Sequence, residues 1–204
     1  MKKIREIVID TETTGMNPYH NDRLVEIGAI ELINGKPSGR IFHQYINPRR
    51  PIPKHIRAIH GLDTGFLRNF PTFAKIAPQF LEFVGTDAVL VAHSAAFDLN
   101  FLNYELSRAG LPTLYNHRVV DTLQLARQKF PNQRNTLDCL CNRFGIDTAV
   151  RVYHGALLDA HLLVHVYRYL RPQKFEKAAK LWTACKQAIC NLFNDKRQIQ
   201  RIIY

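Results

Sequence analysis

Residues 4–15 read Ile4-Arg5-Glu6-Ile7-Val8-Ile9-Asp10-Thr11-Glu12-Thr13-Thr14-Gly15. Ile7, Val8 and Ile9 form a continuous apolar run, the mark of a strand buried on both faces, so Ile4 to Asp10 is predicted to be a central strand. The run ends in two carboxylates, Asp10 and Glu12. Side chains two apart on a strand point to the same face, so these acids stand side by side where the strand leaves the core. Like charges that close raise each other's pKa unless a cation lies between them. Magnesium takes oxygen ligands in octahedral geometry and leaves positions open for water and phosphate. A bare Asp-x-Glu is equally consistent with a polar strand end. Thr13-Thr14-Gly15 adds a hydroxyl-bearing turn and a residue that lets backbone approach a ligand closely.

Working outward, Arg23 to Ile33 (RLVEIGAIELI) predicts a second strand, Asn34-Gly35 a hairpin turn, and Arg40 to Ile46 its partner. Pro51 to His60 reads as short helix or irregular chain. Phe73 to Val84 has helical spacing of apolar residues, with Pro78 awkward in its interior. Ala88 to Ala92 is a short buried strand, Ala96 to Ala109 a helix ended by Gly110, and Val119 to Asp121 a further short strand. Helices follow over Thr122 to Phe130, Thr136 to Phe144 and Gly155 to Leu170, the last stopped by Arg171-Pro172. An antiparallel meander followed by alternating helices and strands predicts an α/β fold, with a mixed sheet and helices on both faces.

The chain has 204 residues, enough for one domain of ordinary size, and its hydrophobic fraction of 46% supports a packed core. Net charge is +11, so the surface attracts polyanions such as DNA, RNA or acidic membranes. The first ten residues contain Lys2, Lys3, Arg5 and Glu6, which leaves no signal-peptide core. No run approaches the roughly 18 apolar residues of a membrane span. The expectation is a cytoplasmic protein that does not enter membranes. Cys139, Cys141, Cys185 and Cys190 make no Cys-x-x-Cys pair and read as reduced core or surface thiols. Residues 173–204 differ in character, with seven Lys or Arg against two acids and no Gly or Pro. They predict a basic helical extension over 172–204, beside a main domain over 1–171. It would serve as a docked terminal helix or as a binding appendage.

Two further motifs carry carboxylates. In Ala92-His93-Ser94-Ala95-Ala96-Phe97-Asp98 a buried strand ends and Asp98 falls in the first turn of a helix, at the sheet edge where α/β proteins place their sites. Asp98 alone could equally be a capping acid, and His93 reads as structural. In His154-Gly155-Ala156-Leu157-Leu158-Asp159, five residues of regular helix would put the two side chains roughly 140° apart. Gly155 resolves this by leaving His154 in the loop before the helix. A histidine beside a carboxylate is what a general base working near neutrality looks like. Alone, this too could be an ordinary helix start. His161 and His165, four apart, lack a third ligand and read as packing residues.

Taken together, Asp-x-Glu-Thr-Thr-Gly, His-x-Ala-x-Phe-Asp and His with Asp five later resemble the DEDDh exonucleases, a family with the ribonuclease-H-like fold. Supporting segments are Leu24 to Ala29, Ile59 to Leu62 and Asn135 to Asp138. From Ile7 to Tyr169 the chain is most similar to the proofreading members that serve bacterial replicative DNA polymerases. One departure is Ser94, where the family commonly has Asn, which would alter a support contact. The resemblance implies a 3′–5′ exonuclease that releases nucleoside 5′-monophosphates from single-stranded DNA ends. Asp10, Glu12, Asp98 and Asp159 would hold two magnesium ions, with manganese as a substitute. His154 would be the general base. Asp10, Glu12, Thr13, Gly15, His60, Phe97 and Asp159 would contact substrate. RNA 3′ ends remain an alternative substrate, and a catalytically inactive nucleic-acid-binding relative an alternative class. A polymerase catalytic subunit is an implied partner. Gln187 to Phe193 has a faint likeness to a sliding-clamp peptide.

Overall fold

A computed structural model describes residues 3–149 and 152–171. The helical extension expected over 172–204, the clamp-like segment, Cys185 and Cys190 lie outside them. Strand β1 (Arg5–Thr13) is the centre of the molecule. It pairs antiparallel with β2 (Leu24–Ile33), which in turn pairs antiparallel with β3 (Lys36–Tyr45). Three helices follow: α1 (Lys54–His60), α2 (Thr64–Leu67) and α3 (Phe73–Val84). The chain then builds β4 (Val89–Ala92), α4 (Ala95–Arg108), β5 (Arg118–Asp121), α5 (Thr122–Lys129), α6 (Leu137–Arg143) and α7 (Ala156–Leu170). The sheet order is β3-β2-β1-β4-β5, with β4 parallel to both β1 and β5. This is the mixed sheet that the element order predicted.

Period-two alternation divides β1 between two layers. Ile7 and Ile9, with Ile27, Ala29 and Phe42, join one core with Phe73, Ile76 and Phe80 of α3 and Phe101, Leu102 and Leu106 of α4. The opposite face of β1 and β2 meets α7. There the buried Glu6 accepts hydrogen bonds from Tyr167 Oη (2.9 Å) and Arg171 (3.1 Å), which fixes the far end of α7 to the sheet. A carboxylate so buried is tolerable only with such partners. Arg5 pairs with the buried Glu31 at 2.6 Å and also donates to the carbonyls of Phe83 and Val84, tying β1 and β2 to the end of α3.

Several expectations needed adjustment. β1 does not end at Asp10; it stays paired with β2 as far as Thr13, with an irregularity after Glu12. Its last residues are polar although they remain paired, so the apolar run underestimates the strand. β3 begins at Lys36, immediately after the Asn34-Gly35 turn, whose φ values of 53° and 79° suit a two-residue hairpin. Helix α2 was not anticipated; Asp63 caps it by accepting from Phe66 N at 2.8 Å. Pro78 does not interrupt α3. It lies on the exposed face, where the carbonyl of Ala74, denied its helical partner, can be hydrated.

Candidate active site

The site grows from a mismatch in strand length. β4 pairs with β1 only at the level of Glu6, Ile7 and Val8 and ends at Ala92, whereas β1 runs on through Asp10 to Thr13. The edge of β1 vacated by β4 receives the first turn of α4. Thr11 Oγ1 donates to Asp98 Oδ1 at 2.7 Å, and the Thr11 amide supports the same carboxylate. Burial pushes the Asp98 carboxyl up to about 7, against the lowering effect of the Thr11 hydrogen bonds and with a further push from the Asp121 charge.

On the α7 side of the sheet, Asp10 and Glu12 project toward the start of α7. What allows this helix to come so close is Gly28, the Cα partner of Asp10 across the β1–β2 ladder. A Cβ on Gly28 would lie 2.3 Å from Leu157 N and from the Ala156 carbonyl carbon. α7 therefore rests its first turn directly on backbone, and Asp159 in that turn is delivered beside Asp10 and Glu12. Burial raises the Asp10 carboxyl well above its ordinary value, and the charges of Asp98, Asp159, Glu12 and Glu26 raise it further, in that order. Acids from three separate stretches of the chain, Asp10 with Glu12, Asp98 and Asp159, thus share one electrostatic environment.

His154 precedes the helix, as Gly155 requires. Its amide donates to Ile59 O at 3.1 Å, and its Nδ1 lies 3.2 Å from Asp159 Oδ2. The imidazole is 45% exposed while Asp159 is buried, so the pair spans the boundary between site and solvent. One ligand atom from each of Glu12, His154 and Asp159 lies within 4.8 Å of the others. Carboxyl oxygens this crowded, with Asp10 and Asp98 both raised, form a donor set that suits a hard divalent cation.

The residues expected to contact substrate are placed as follows. Thr13 is buried, and its hydroxyl donates to Gly15 O at 2.5 Å. A Cβ on Gly15 would strike the Asp22 carboxylate. Phe97 is half-buried and lines a cavity of about 280 Å³ with Met16, Pro18 and Tyr19, just past Gly15. His60 is buried and accepts from Leu62 N at 3.0 Å through Nδ1; burial lowers its pKa against the opposing influence of the Thr13 carbonyl and Glu26. His93 ties the end of β4 to α5: the Thr122 hydroxyl donates to Ala92 O (3.1 Å) and lies 2.9 Å from His93 Nδ1. His161 and His165 pack edge to face, with ring centroids 4.9 Å apart.

Sequence reasoning did not single out Thr11, Glu26, His43 or Asp121. Glu26 is fully buried, is the Cα partner of Glu12, and lies 2.7 Å from His43 Nε2. Its signal was a lone carboxylate among apolar strand residues. Asp121 accepts from the amides of Ser94, Ala95 and Leu123, capping α4 and α5 together.

The exonuclease family profile matches residues 7–167 of this chain. The chain belongs to the exonuclease family. Enzymes of this family depend on divalent metal. Among curated relatives, this exonuclease is 49% identical over 170 residues to DNA polymerase III subunit epsilon of Rickettsia felis, covering 82% of this chain and 74% of the relative. It is 44% identical over 170 residues to the protein of that name in Escherichia coli, covering 80% and 70%. Among solved structures it is similar to exonuclease X in complex with 5′-overhanging duplex DNA, with a TM-score of 0.61, 25% identity, and coverage of 80% of this chain and 91% of that one. An Escherichia coli exonuclease I complex with single-stranded DNA shares the fold, with a TM-score of 0.71 at 16% identity, covering 84% of this chain and 41% of that one.

Proposed function

We propose that this exonuclease removes nucleotides one at a time from the 3′ end of a DNA strand and proofreads as a DNA polymerase III epsilon-type subunit, working in the cytoplasm beside a polymerase catalytic subunit. The observation that carries this reading is the convergence of Asp10, Glu12, Asp98 and Asp159 at one sheet edge with His154 beside them, in a chain 44–49% identical to proteins of that name.

Asp10, Glu12, Asp98 and Asp159 would hold divalent cations, magnesium by preference with manganese in its place. When bound, these supply positive charge to the phosphoryl oxygens and to the oxygens that attack and leave. The chain's own residues do the rest. Glu12 and Asp10 stand on a rigid strand, and Asp159 on a helix anchored at both ends, so the acids need little rearrangement to meet substrate. The Asp159 carboxylate, 3.2 Å from Nδ1, would orient the imidazole of His154 so that its other ring nitrogen can take a proton from the attacking water. The water oxygen bonds to phosphorus, the P–O3′ bond breaks, and the departing oxygen is protonated. The products are a nucleoside 5′-monophosphate and a strand shortened by one with a free 3′-OH. Thr13, Gly15, His60 and Phe97 would hold the terminal nucleotide, with Phe97 offering a ring for stacking.

The test compares matched DNA and RNA oligonucleotides with magnesium, including a primer with a mispaired 3′ end. Release of 5′-monophosphates from DNA, fastest at the mispair, is the expected result. Preferential trimming of RNA would move the reading to an exoribonuclease, and no hydrolysis of either would leave an inactive binding relative.

A further inference from the structure

A cavity of about 420 Å³ that no step above uses lies between the start of α4 and the α5–α6 connection. Its lining includes His93, Ser94, Leu123, Arg127, Arg134 and Leu137. His93 and Ser94 form the connection between β4 and α4, and α4 carries Asp98 four residues after Ser94, so the cavity borders the turn that delivers Asp98.

Its lining combines two cationic side chains with apolar surface. Arg127 and Arg134 are exposed, and among the described residues neither pairs with a carboxylate. The amides at the starts of α4 and α5 are occupied by Asp121, so an incoming anion meets the guanidinium groups instead. Leu123 and Leu137 supply apolar surface for a sugar and base. The wall is held in place: Arg143 donates to Asn135 Oδ1 (2.9 Å) and Arg134 O (3.0 Å) and lies over the Phe130 ring at 4.5 Å. A volume of this size falls in the range of small-ligand sites. Guanidinium groups are suited to phosphate, and a net charge of +11 favours a strand over a neutral ligand.

We propose that this cavity seats one nucleotide of the bound strand away from the scissile bond, its phosphate against Arg127 and Arg134 and its sugar and base over Leu123 and Leu137. The proposal rests on the nuclease reading and adds a second hold on the strand, remote from the chemistry.

The experiment uses the full chain carrying Arg127→Ala and Arg134→Ala together, with Arg→Lys at both positions as the conservative control. Hydrolysis of a DNA strand of about 20 nucleotides is compared with that of the p-nitrophenyl ester of thymidine 5′-monophosphate, which fills only the scissile position. The expected result is a KM for the long strand raised about tenfold at about 0.1 M salt, with kcat little changed, and a salt slope reduced by about 1–2. Ester hydrolysis stays as it was, and the lysine variant keeps most of the affinity. Anisotropy of the labelled strand in chelator should show the same loss of affinity without any turnover. An unchanged strand affinity overturns the proposal. So does an equal loss on strand and ester, or a change confined to inhibition by free thymidine 5′-monophosphate. Strand binding that depends on both arginines in a chain that hydrolyses nothing would sink the nuclease reading while leaving the seat intact.

Discussion

The peptide nitrogen of Leu157 occupies the space where a side chain on Gly28 would begin, 2.3 Å from an ideal Cβ. Because Gly28 faces Asp10 across the ladder, this contact sets the distance between the strand acids and the helix acid. Gly28→Ala is expected to lift the first turn of α7, displacing Asp159 and His154. Overpacking of this kind costs about 1–3 kcal/mol. Misplacement of about 1 Å can cost about 100-fold in rate. Steady-state kinetics with a thermal melt checks both, and an alanine variant with the parental rate would show that the helix position does not govern the site.

Asp10→Asn and Asp159→Ala are expected to reduce hydrolysis by at least about a thousandfold with the fold intact, as far-UV circular dichroism would report. Asp10→Asn should also raise the melting temperature of the metal-free protein, because it replaces a carboxyl that burial and the neighbouring Asp98, Asp159, Glu12 and Glu26 make costly to ionise. Parental activity in either variant would overturn the assignment of these acids.

The stability of the metal-free protein should fall as pH rises. Asp98 has a folded value of about 7 against an ordinary 3.8, so the folded state keeps a proton that the unfolded chain releases. Stability is then lost progressively across about pH 4–7, and the raised Asp10 adds to the same trend. Divalent cations should reverse it, with a stabilisation larger at pH 8 than at pH 5.5. Melts with chelator and with added magnesium or manganese measure this, and an equal metal shift at both pH values would contradict it.

Ser94 sits at φ 66°, ψ 54°, and its side chain caps nothing. Left-handed backbone costs an ordinary residue roughly 1–2 kcal/mol, less for Asn and nothing for Gly. Ser94→Asn and Ser94→Gly should each raise the melting temperature by a few degrees, about 2–4 °C per kcal/mol at this chain length. A lower melting temperature for both would mean that the serine hydroxyl stabilises the loop.

Much of the fold was legible because burial and periodicity coincide in β2, α3, α4 and α7. The pattern failed where side chains answer to a site. Asp10 to Thr13 are strand residues whose polarity hid them, and Thr64 to Leu67 are too few for helical periodicity to show. The five residues that the proposed reading places at the site, Asp10, Glu12, Asp98, His154 and Asp159, were readable as motifs. Thr11, Glu26 and Asp121 were not, because each acts through a partner distant in sequence: Asp98 for Thr11, His43 for Glu26, and the amides of Ser94 and Ala95 for Asp121.

The early stop of β4 has a consequence for how this chain can change in length. Asp98 has its place because the neighbouring strand runs out one residue past Val91, while β1 continues. One or two residues added to β4 would extend its pairing along the edge that Asp98 now occupies, so insertions between Ala92 and Asp98 are expected to displace the acid from Thr11. Surface turns such as those at Gly110 and Gly145 have open space around them, although their positive φ values keep glycine itself in place.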